Sequence, residues 1–162
     1  MAPWIQADDF PISIPADFTS LEAEETFAFG KRLASLLKKG SIVALTGPLG
    51  AGKTCFVKGI ASGLGIKEVV TSATYTIISE YEAFVAVNTG CEKIESIPFY
   101  HIDAYRLEKI DDFTAIGGED IIFGNGISVI EWGDRISGII PNGAIWVDIE
   151  IKKDGKRSIR IQ

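Results

Sequence analysis

The stretch Gly47-Pro-Leu-Gly-Ala-Gly-Lys-Thr54 matches the phosphate-binding loop pattern G-x-x-x-x-G-K-[ST] at every fixed position. In such a loop, glycines let successive backbone N–H groups point at phosphate oxygens without a Cβ in the way. Lys53 supplies positive charge for the β- and γ-phosphates, and the Thr54 hydroxyl is placed to bind Mg²⁺. The stretch therefore predicts a binding site for a nucleoside triphosphate.

The residues on either side of this loop provide the context that the pattern requires. Residues 41–46 form a short apolar run typical of a buried strand, and residues 53–60 are expected to begin a helix. The N-terminus of that helix adds partial positive charge at the phosphates. A glycine-rich turn that matches by accident is the alternative, but the flanking strand and helix favour a phosphate loop.

Length and composition indicate one globular domain. The 162 residues fit a single P-loop domain, in which the proline-bearing residues 1–16 are an amino-terminal extension. The amino end lacks the basic and apolar pattern of a signal peptide, and no apolar run approaches the ~18 residues of a membrane span. Cys55 and Cys91 match no metal-ligand spacing. We expect a cytoplasmic protein that makes no contact with a membrane.

The charge balance limits the possible partners. The net charge is −6 and the isoelectric point is about 4.8. A protein that binds nucleic acid by itself usually has a basic excess or a basic stripe. The composition therefore argues against direct RNA binding, although an acidic protein can act on RNA through a partner.

Apolar runs and turn residues alternate along the rest of the chain. The capping-box spacing of Thr19 and Glu22 predicts a helix that begins at Thr19 and stops at Gly40. Further elements are predicted as strands at 98–103 and 127–131, a helix at 110–116, and hairpins at 85–97 and 144–161. This order predicts an α/β fold, with a mostly parallel central sheet, antiparallel edge strands and flanking helices.

Two acidic residues are candidates for the metal site. Ligands of such sheets bind at the carboxyl ends of the strands, where Gly47, Asp103 and Glu131 are all expected. Mg²⁺ in phosphoryl transfer needs the loop threonine and a nearby acid. Asp103 and Glu131 both follow apolar runs, so spacing does not choose between them. One could bind the ion while the other positions the attacking water, or either could cap a helix or face solvent.

Three residues near these acids have open roles. His101 is the only histidine and alternates in phase with Asp103, so a packed, hydrogen-bonded side chain is favoured over a chemical role. Arg106 could stabilise charge on the γ-phosphate or pair with a nearby acid. Trp132, beside Glu131, is interpreted as an exposed stacking or interface residue.

Four segments in order carry a resemblance to a known family: residues 47–54, Thr71-Ser-Ala-Thr-Tyr-Thr76, His101-Ile-Asp-Ala-Tyr-Arg106 and Val129-Ile-Glu-Trp132. Residues 71–76 alone fit either a switch that senses the γ-phosphate or a threonine-rich strand. With the other segments, the chain resembles the TsaE (formerly YjeE) family of small bacterial ATPases over about Thr19 to Arg135. The loop is shared with many NTPases, whereas the last two segments together are specific.

The resemblance implies a P-loop NTPase-like fold and a set of roles. Thr54 and Glu131 would ligate Mg²⁺, Lys53 would contact the phosphates, and Thr74 and Asp103 would serve the switch and hydrolysis. The residues implied to contact the nucleotide are Gly47, Leu49, Gly50, Ala51, Gly52, Lys53, Thr54, Cys55 and Trp132.

The resemblance also implies a function and partners. Family members hydrolyse ATP with Mg²⁺, slowly when alone, and act with the TsaD and TsaB proteins in threonylcarbamoyladenosine modification of tRNA. This chain would then meet tRNA only indirectly, through the complex. The alternative is a small-molecule or nucleotide kinase that uses the same loop. Such enzymes usually carry a lid with several arginines, whereas the arginines of this chain are scattered.

Overall fold

The computed structural model describes residues 12–71, 76–88 and 92–162. The strands are β1 (Ala16–Ser20), β2 (Ile42–Thr46), β3 (Ile78–Asn88), β4 (Glu92–Asp103), β5 (Ile127–Glu131), β6 (Ile145–Ile151) and β7 (Arg157–Ile161). The helices are α1 (Ala23–Ala34), α2 (Lys53–Gly63), α3 (Ile110–Ala115) and α4 (Gly118–Ile122). Two 3₁₀ segments, Ala104–Arg106 and Gly133–Ile139, follow β4 and β5.

The strands form one seven-stranded sheet in the order β1-β7-β6-β2-β5-β4-β3. Its centre is parallel, because β2 pairs in parallel with β5 and β6, and β5 pairs in parallel with β4. The outer pairs β3–β4, β6–β7 and β1–β7 are antiparallel. The predicted α/β class, with a parallel centre and antiparallel edges, is confirmed.

Both faces of the sheet are covered, which explains the continuous apolar run of β2. Val43 and Leu45 pack into the core beneath α1 and α2. Ile42 and Ala44 pack on the opposite face, with Phe113 of α3 and Ile136 of the second 3₁₀ segment. A strand that is buried on both faces has no polar side, so its sequence is a continuous apolar run rather than an alternation of apolar and polar residues.

Helices α1 and α2 approach each other closely through glycines. A Cβ at Gly30 of α1 would overlap the carbonyl oxygen of Phe56, and a Cβ at Gly59 of α2 would overlap that of Phe27. Any side chain at either position would push the helices apart. The helix that begins at the phosphate loop is thereby held against α1.

The predicted start of the first helix is wrong. Thr19 lies in β1, where Phe18 pairs with Ile159 and Thr19 pairs with Ser158 of β7. Helix α1 begins only at Ala23, after Glu22, whose side chain makes no capping hydrogen bond. Pairing with a distant strand satisfies the backbone of residues 16–20 and overrides the local capping signal. The helix also ends earlier than predicted, at Ala34 rather than near Gly40.

The other predicted elements are present, but their bounds differ in places from the predicted ones. The predicted hairpin at 85–97 joins the predicted strand at 98–103, so that β3 and β4 pair over eleven residues. The predicted helix at 110–116 ends at Ala115, and α4 follows after Gly117, whose φ is +78°. The late hairpin β6–β7 is confirmed, and its turn contains Gly155 with φ +82°. No helix within the described ranges has the length and apolarity needed to cross a membrane.

Candidate nucleotide-binding site

The candidate site lies at the carboxyl ends of three neighbouring strands. Glu131, the last residue of β5, is the register partner of Leu45 in β2 and of Asp103 in β4. The loop after β2 leads directly into α2, which begins at Lys53. The parallel pairing therefore brings the predicted phosphate loop and both predicted acids to one edge of the sheet, as expected for this class of fold.

The loop has the backbone that its sequence predicts. Gly47, Gly50 and Gly52 have φ values of +132°, +77° and +106°, a region that residues with a Cβ rarely adopt. A Cβ at Gly47 would also overlap the carbonyl oxygen of Ile149 in β6. Glycine is thus required at Gly47 both by conformation and by the space available.

Lys53 is held inside the loop. Its Nζ donates hydrogen bonds to the carbonyl oxygens of Gly47 at 2.7 Å and Pro48 at 2.9 Å, and the residue is only 4% exposed. The same Nζ lies 3.7 Å from the centre of the Trp132 ring. Burial lowers the pKa of the ammonium below its ordinary value, and three nearby carboxylates, led by that of Glu131, offset only part of this effect.

Thr54 and Glu131 form a direct contact at the start of α2. The Thr54 hydroxyl lies 2.9 Å and 3.0 Å from the two carboxylate oxygens of Glu131 and donates to this group. Glu131 is 4% exposed, and its Oε1 also lies 2.8 Å from Nε2 of His101, which is fully buried. The sequence left the choice between Asp103 and Glu131 open, and the structure places Glu131 against the loop threonine.

This pair suits Mg²⁺ by its chemistry. Mg²⁺ prefers hard oxygen ligands, and it commonly takes one or two protein oxygens while substrate phosphates and waters complete its shell. A carboxylate and a hydroxyl already in contact provide such a partial set. Within the described part of the chain, no group of three His, Cys, Asp or Glu residues could hold a metal without help from a ligand. The residues therefore fit an ion that binds together with a nucleotide.

Asp103 lies at the same edge with a different contact. Its Oδ1 accepts a hydrogen bond from the backbone N–H of Tyr105 at 3.0 Å, which caps the 3₁₀ turn after β4. Asp103 also lines the cavity beside the loop. Asp103 therefore caps the 3₁₀ turn and also lies beside the loop, so its position fits a capping residue and a site residue alike.

A pair of aromatic rings closes one side of the site. The Trp132 and Tyr105 rings have centres 4.9 Å apart and are tilted by 46°, and the Arg135 guanidinium lies 5.1 Å from the centre of the Tyr105 ring. Trp132 has φ 60° and ψ 42°, the left-handed region, which is strained for a residue with a side chain. Its indole ring lies over Lys53 Nζ. The Trp132 side chain is half-buried rather than exposed, and its role in stacking or at an interface stays a prediction.

These residues surround a cavity of about 380 Å³. Its lining is Leu49, Gly50, Ala51, Gly52, Lys53, Thr54, Cys55, Asp103, Tyr105, Glu131 and Trp132. Gly47 contributes the carbonyl that Lys53 contacts. The residues predicted to contact the nucleotide or the metal ion are therefore at this place where the structure describes them, while the predicted Thr74 lies outside the described ranges. Arg106, the candidate for the γ-phosphate, is exposed in the 3₁₀ segment after β4 and is not among the lining residues. Sequence reasoning missed Tyr105 as a site residue, although its position two residues after Asp103 was a usable signal.

Cys55 takes part as a packed helix residue. Its thiol donates a hydrogen bond to the carbonyl oxygen of Ala23 at 3.2 Å, and burial raises the pKa of the thiol above its ordinary value. A thiol with a raised pKa forms less of the reactive thiolate. Cys55 therefore joins the wall of the cavity rather than supplying a nucleophile.

Comparisons with known proteins agree with this geometry. The family described as "Threonylcarbamoyl adenosine biosynthesis protein TsaE" matches residues 20–159. The tRNA threonylcarbamoyladenosine biosynthesis protein TsaE of Treponema pallidum (strain Nichols) is 39% identical over 142 residues, which cover 88% of this chain and 96% of that protein. Its counterpart in Bacillus subtilis (strain 168) is 38% identical over 140 residues, which cover 86% and 80%. The crystal structure of Bacillus subtilis YdiB has a TM-score of 0.66 at 33% identity, and the match covers 90% of this chain and 83% of that one. The chain belongs to the TsaE family.

Proposed function

We propose that this chain is a Mg²⁺-dependent ATPase subunit that serves threonylcarbamoyladenosine modification of tRNA. One observation carries the proposal: the hydroxyl of the loop residue Thr54 lies within 3.0 Å of both carboxylate oxygens of Glu131. P-loop NTPases use a loop hydroxyl and a strand-end acid in this arrangement to hold the ion that accompanies the nucleotide.

The loop and helix α2 provide the phosphate site. Backbone N–H groups at a helix N-terminus attract anions, and the positive-φ glycines leave room for phosphate oxygens to approach them. Lys53 Nζ donates to two loop carbonyls, those of Gly47 and Pro48. We propose that its ammonium gives up these neutral acceptors for the charged oxygens of the β- and γ-phosphates, which are stronger acceptors.

Thr54 and Glu131 would hold the Mg²⁺ ion. When bound, the ion neutralises charge that develops on the phosphates during transfer. The two residues would fix the position of the ion, because both lie in regular structure. Thr54 is in the first turn of α2, and Glu131 is at the end of β5.

Asp103 and Thr74 are proposed to serve hydrolysis. Asp103 lines the cavity beside Glu131, where its carboxylate would accept a hydrogen bond from an attacking water. This is the role of a residue that orients the nucleophile. Thr74 is proposed to sense the γ-phosphate as part of the segment at residues 71–76.

The biological setting is proposed from the relatives. Those reported above are named for biosynthesis of threonylcarbamoyladenosine in tRNA. We propose that this chain works in the cytoplasm with TsaD and TsaB, and that tRNA is contacted only through the complex. The net charge of −6 supports this division, because a polyanion such as RNA is repelled by an acidic surface.

The proposal is tested by measuring phosphate release from ATP with Mg²⁺, for the chain alone and with TsaD and TsaB from the same source. We expect slow turnover alone and faster turnover with both partners. The Lys53→Ala variant serves as a control for contaminating ATPases, because it removes the charge that binds the phosphates.

Two results would contradict the proposal in different ways. An ATP turnover that does not change when TsaD and TsaB are added would contradict the proposal that these proteins are its partners. Transfer of the γ-phosphate to a small-molecule acceptor, with little release of free phosphate, would instead show a kinase built on the same loop.

A further inference from the structure

His101 is the buried titratable residue for which the proposed mechanism has no use. It lies in β4, two residues before Asp103, and its side chain is 0% exposed. It shares a sheet face with Glu131, because His101 is the register partner of Val129, two residues before Glu131 in the parallel strand β5. Unlike Lys53 and Glu131, His101 is not among the residues that line the cavity, so its described contacts reach a nucleotide there only through Glu131.

The contact of His101 with Glu131 has a defined direction. Nε2 of His101 lies 2.8 Å from Oε1 of Glu131, and a carboxylate only accepts hydrogen bonds. Nε2 must therefore carry the hydrogen and donate it. Within the described part of the chain, the other ring nitrogen, Nδ1, is buried without a hydrogen-bond partner. Burying a nitrogen in this way costs free energy, so packing alone does not explain a histidine here.

The carboxylate of Glu131 is consequently held from two sides. Oε1 accepts from His101 in β4, and the Thr54 hydroxyl in α2 lies 2.9 Å from Oε1 and 3.0 Å from Oε2, between which it shares its one hydrogen. The bond from His101 prevents rotation of the carboxylate away from Thr54. Groups that hydrogen-bond a metal-ligating carboxylate orient it, and their loss typically costs about 10- to 100-fold in metal affinity.

We infer that His101 is a positioning residue that orients the Glu131 carboxylate toward Thr54 and thereby sets the affinity of the site for Mg²⁺. The inference rests on the proposed function, because it requires Glu131 and Thr54 to hold the ion. It goes beyond that proposal by assigning a role to a residue that touches neither nucleotide nor ion.

The test compares ATP binding with and without Mg²⁺ by calorimetry. The ratio of the ATP dissociation constant without Mg²⁺ to that with Mg²⁺ measures how much the ion tightens ATP binding. In His101→Phe and His101→Leu, which lack the donor, we expect the Mg²⁺ concentration needed for tight ATP binding to rise about 10- to 100-fold. ATP binding in the presence of EDTA should stay within about twofold of the wild type. Two variants without a donor are made, so that one of them still tests the inference if the other does not fold.

His101→Gln and Ser128→Ala are the matched controls. His101→Gln retains an N–H donor and should keep most of the Mg²⁺ effect. Ser128→Ala removes a buried hydroxyl of β5 that has no hydrogen-bond partner in the described ranges, and should change nothing.

The outcomes separate this inference from the proposed function. An unchanged Mg²⁺ effect in a folded donor-less variant would overturn the positioning role, as would an equal loss of ATP binding in EDTA or a loss in His101→Gln as large as in His101→Phe. A wild-type protein that binds ATP no better with Mg²⁺ would overturn the proposed function itself.

Discussion

At the carboxyl ends of β2, β4 and β5, the titratable residues Lys53, His101 and Glu131 are each at most 4% exposed and contact their neighbours at 2.7 to 3.0 Å. On the antiparallel edge of the same sheet, Asp17 and Arg160 form an ion pair at 3.2 Å with side chains 78% and 50% exposed. Both regions contain titratable groups whose partners lie at similar distances. Only the first takes charged groups, the Lys53 ammonium and the Glu131 carboxylate, out of water, and this costs free energy that an exposed pair does not lose.

The difference in burial distinguishes the proposed binding site from an ordinary ion pair on the surface. Exposed ion pairs contribute about 0 to 1 kcal/mol, because water solvates their partners almost as well. A buried charged group persists only where its contacts, or a ligand, compensate for lost hydration. This burial supports the proposal that a nucleotide and an ion would complete the cluster at the phosphate loop.

The largest effect is expected from Glu131→Ala. The change removes the proposed ion ligand and leaves His101 and Thr54 without their shared acceptor. Loss of several kcal/mol of charge stabilisation should lower ATP turnover at least about 100-fold. Phosphate release at saturating ATP and Mg²⁺ measures this. Glu150→Ala, at an exposed position of β6, is the matched control. Similar losses of turnover in both variants would show that burial at the loop does not distinguish the two regions.

A smaller effect on binding is expected from Lys53→Met. The variant keeps the length and apolar stem of the side chain but removes the charge proposed to meet the phosphates. ATP affinity measured by calorimetry should fall at least about 10-fold, since hydrogen bonds to charged groups contribute about 1.5 to 3 kcal/mol. Affinity within twofold of the wild type would contradict the role of Lys53 at the phosphates.

The same Lys53→Met change should stabilise the protein when no nucleotide is present. Because burial lowers the pKa of Lys53 from 10.5, the folded state binds this proton less tightly than the unfolded state. The charged lysine therefore lowers stability below its folded pKa, and this penalty disappears as the pH rises toward the unfolded value. The melting temperature of the variant should therefore exceed that of the wild type at pH 7, as thermal unfolding would measure. The gap should narrow as the pH approaches 10, whereas a lower melting temperature of the variant at pH 7 would contradict this account.

The smallest effect is expected on the exposed edge, from Asp17→Asn. This change removes one charge of the pair with Arg160 while it retains the shape of the side chain. The free energy of unfolding, measured with urea, should fall by less than about 1 kcal/mol, and less still at high salt. A loss above about 2 kcal/mol would show that exposure does not distinguish the two regions.

The local parts of this fold could be predicted from the sequence. The phosphate loop is one continuous segment whose glycines, lysine and threonine each have a fixed role, so no distant contact is needed to recognise it. Strand β5 is likewise an apolar run that ends in an acid, and its bounds at Ile127 and Glu131 match the prediction.

The parts that depend on pairing between distant segments could not be predicted. The start of α1 was misplaced because β1 pairs with β7, which is far away in the sequence. Spacing alone could not choose between Asp103 and Glu131, and only the family resemblance implied Glu131. The choice depends on the register of β4 and β5 and on the position of α2, which brings Thr54 to Glu131. The contact of the Trp132 ring with the Tyr105 ring depends on a left-handed backbone conformation at Trp132, for which a tryptophan gives no sequence signal.

The central claim is that Thr54 and Glu131 form a site for Mg²⁺ that operates together with ATP, and one comparison tests it most directly. The measurement is the dissociation constant of ATP with and without Mg²⁺, for the wild type and for Glu131→Gln, which keeps the size of the side chain but loses its charge. The account predicts that Mg²⁺ tightens ATP binding to the wild type and has little effect on the variant. Equal tightening in both proteins would contradict it, because the ion would then be held without the Glu131 carboxylate.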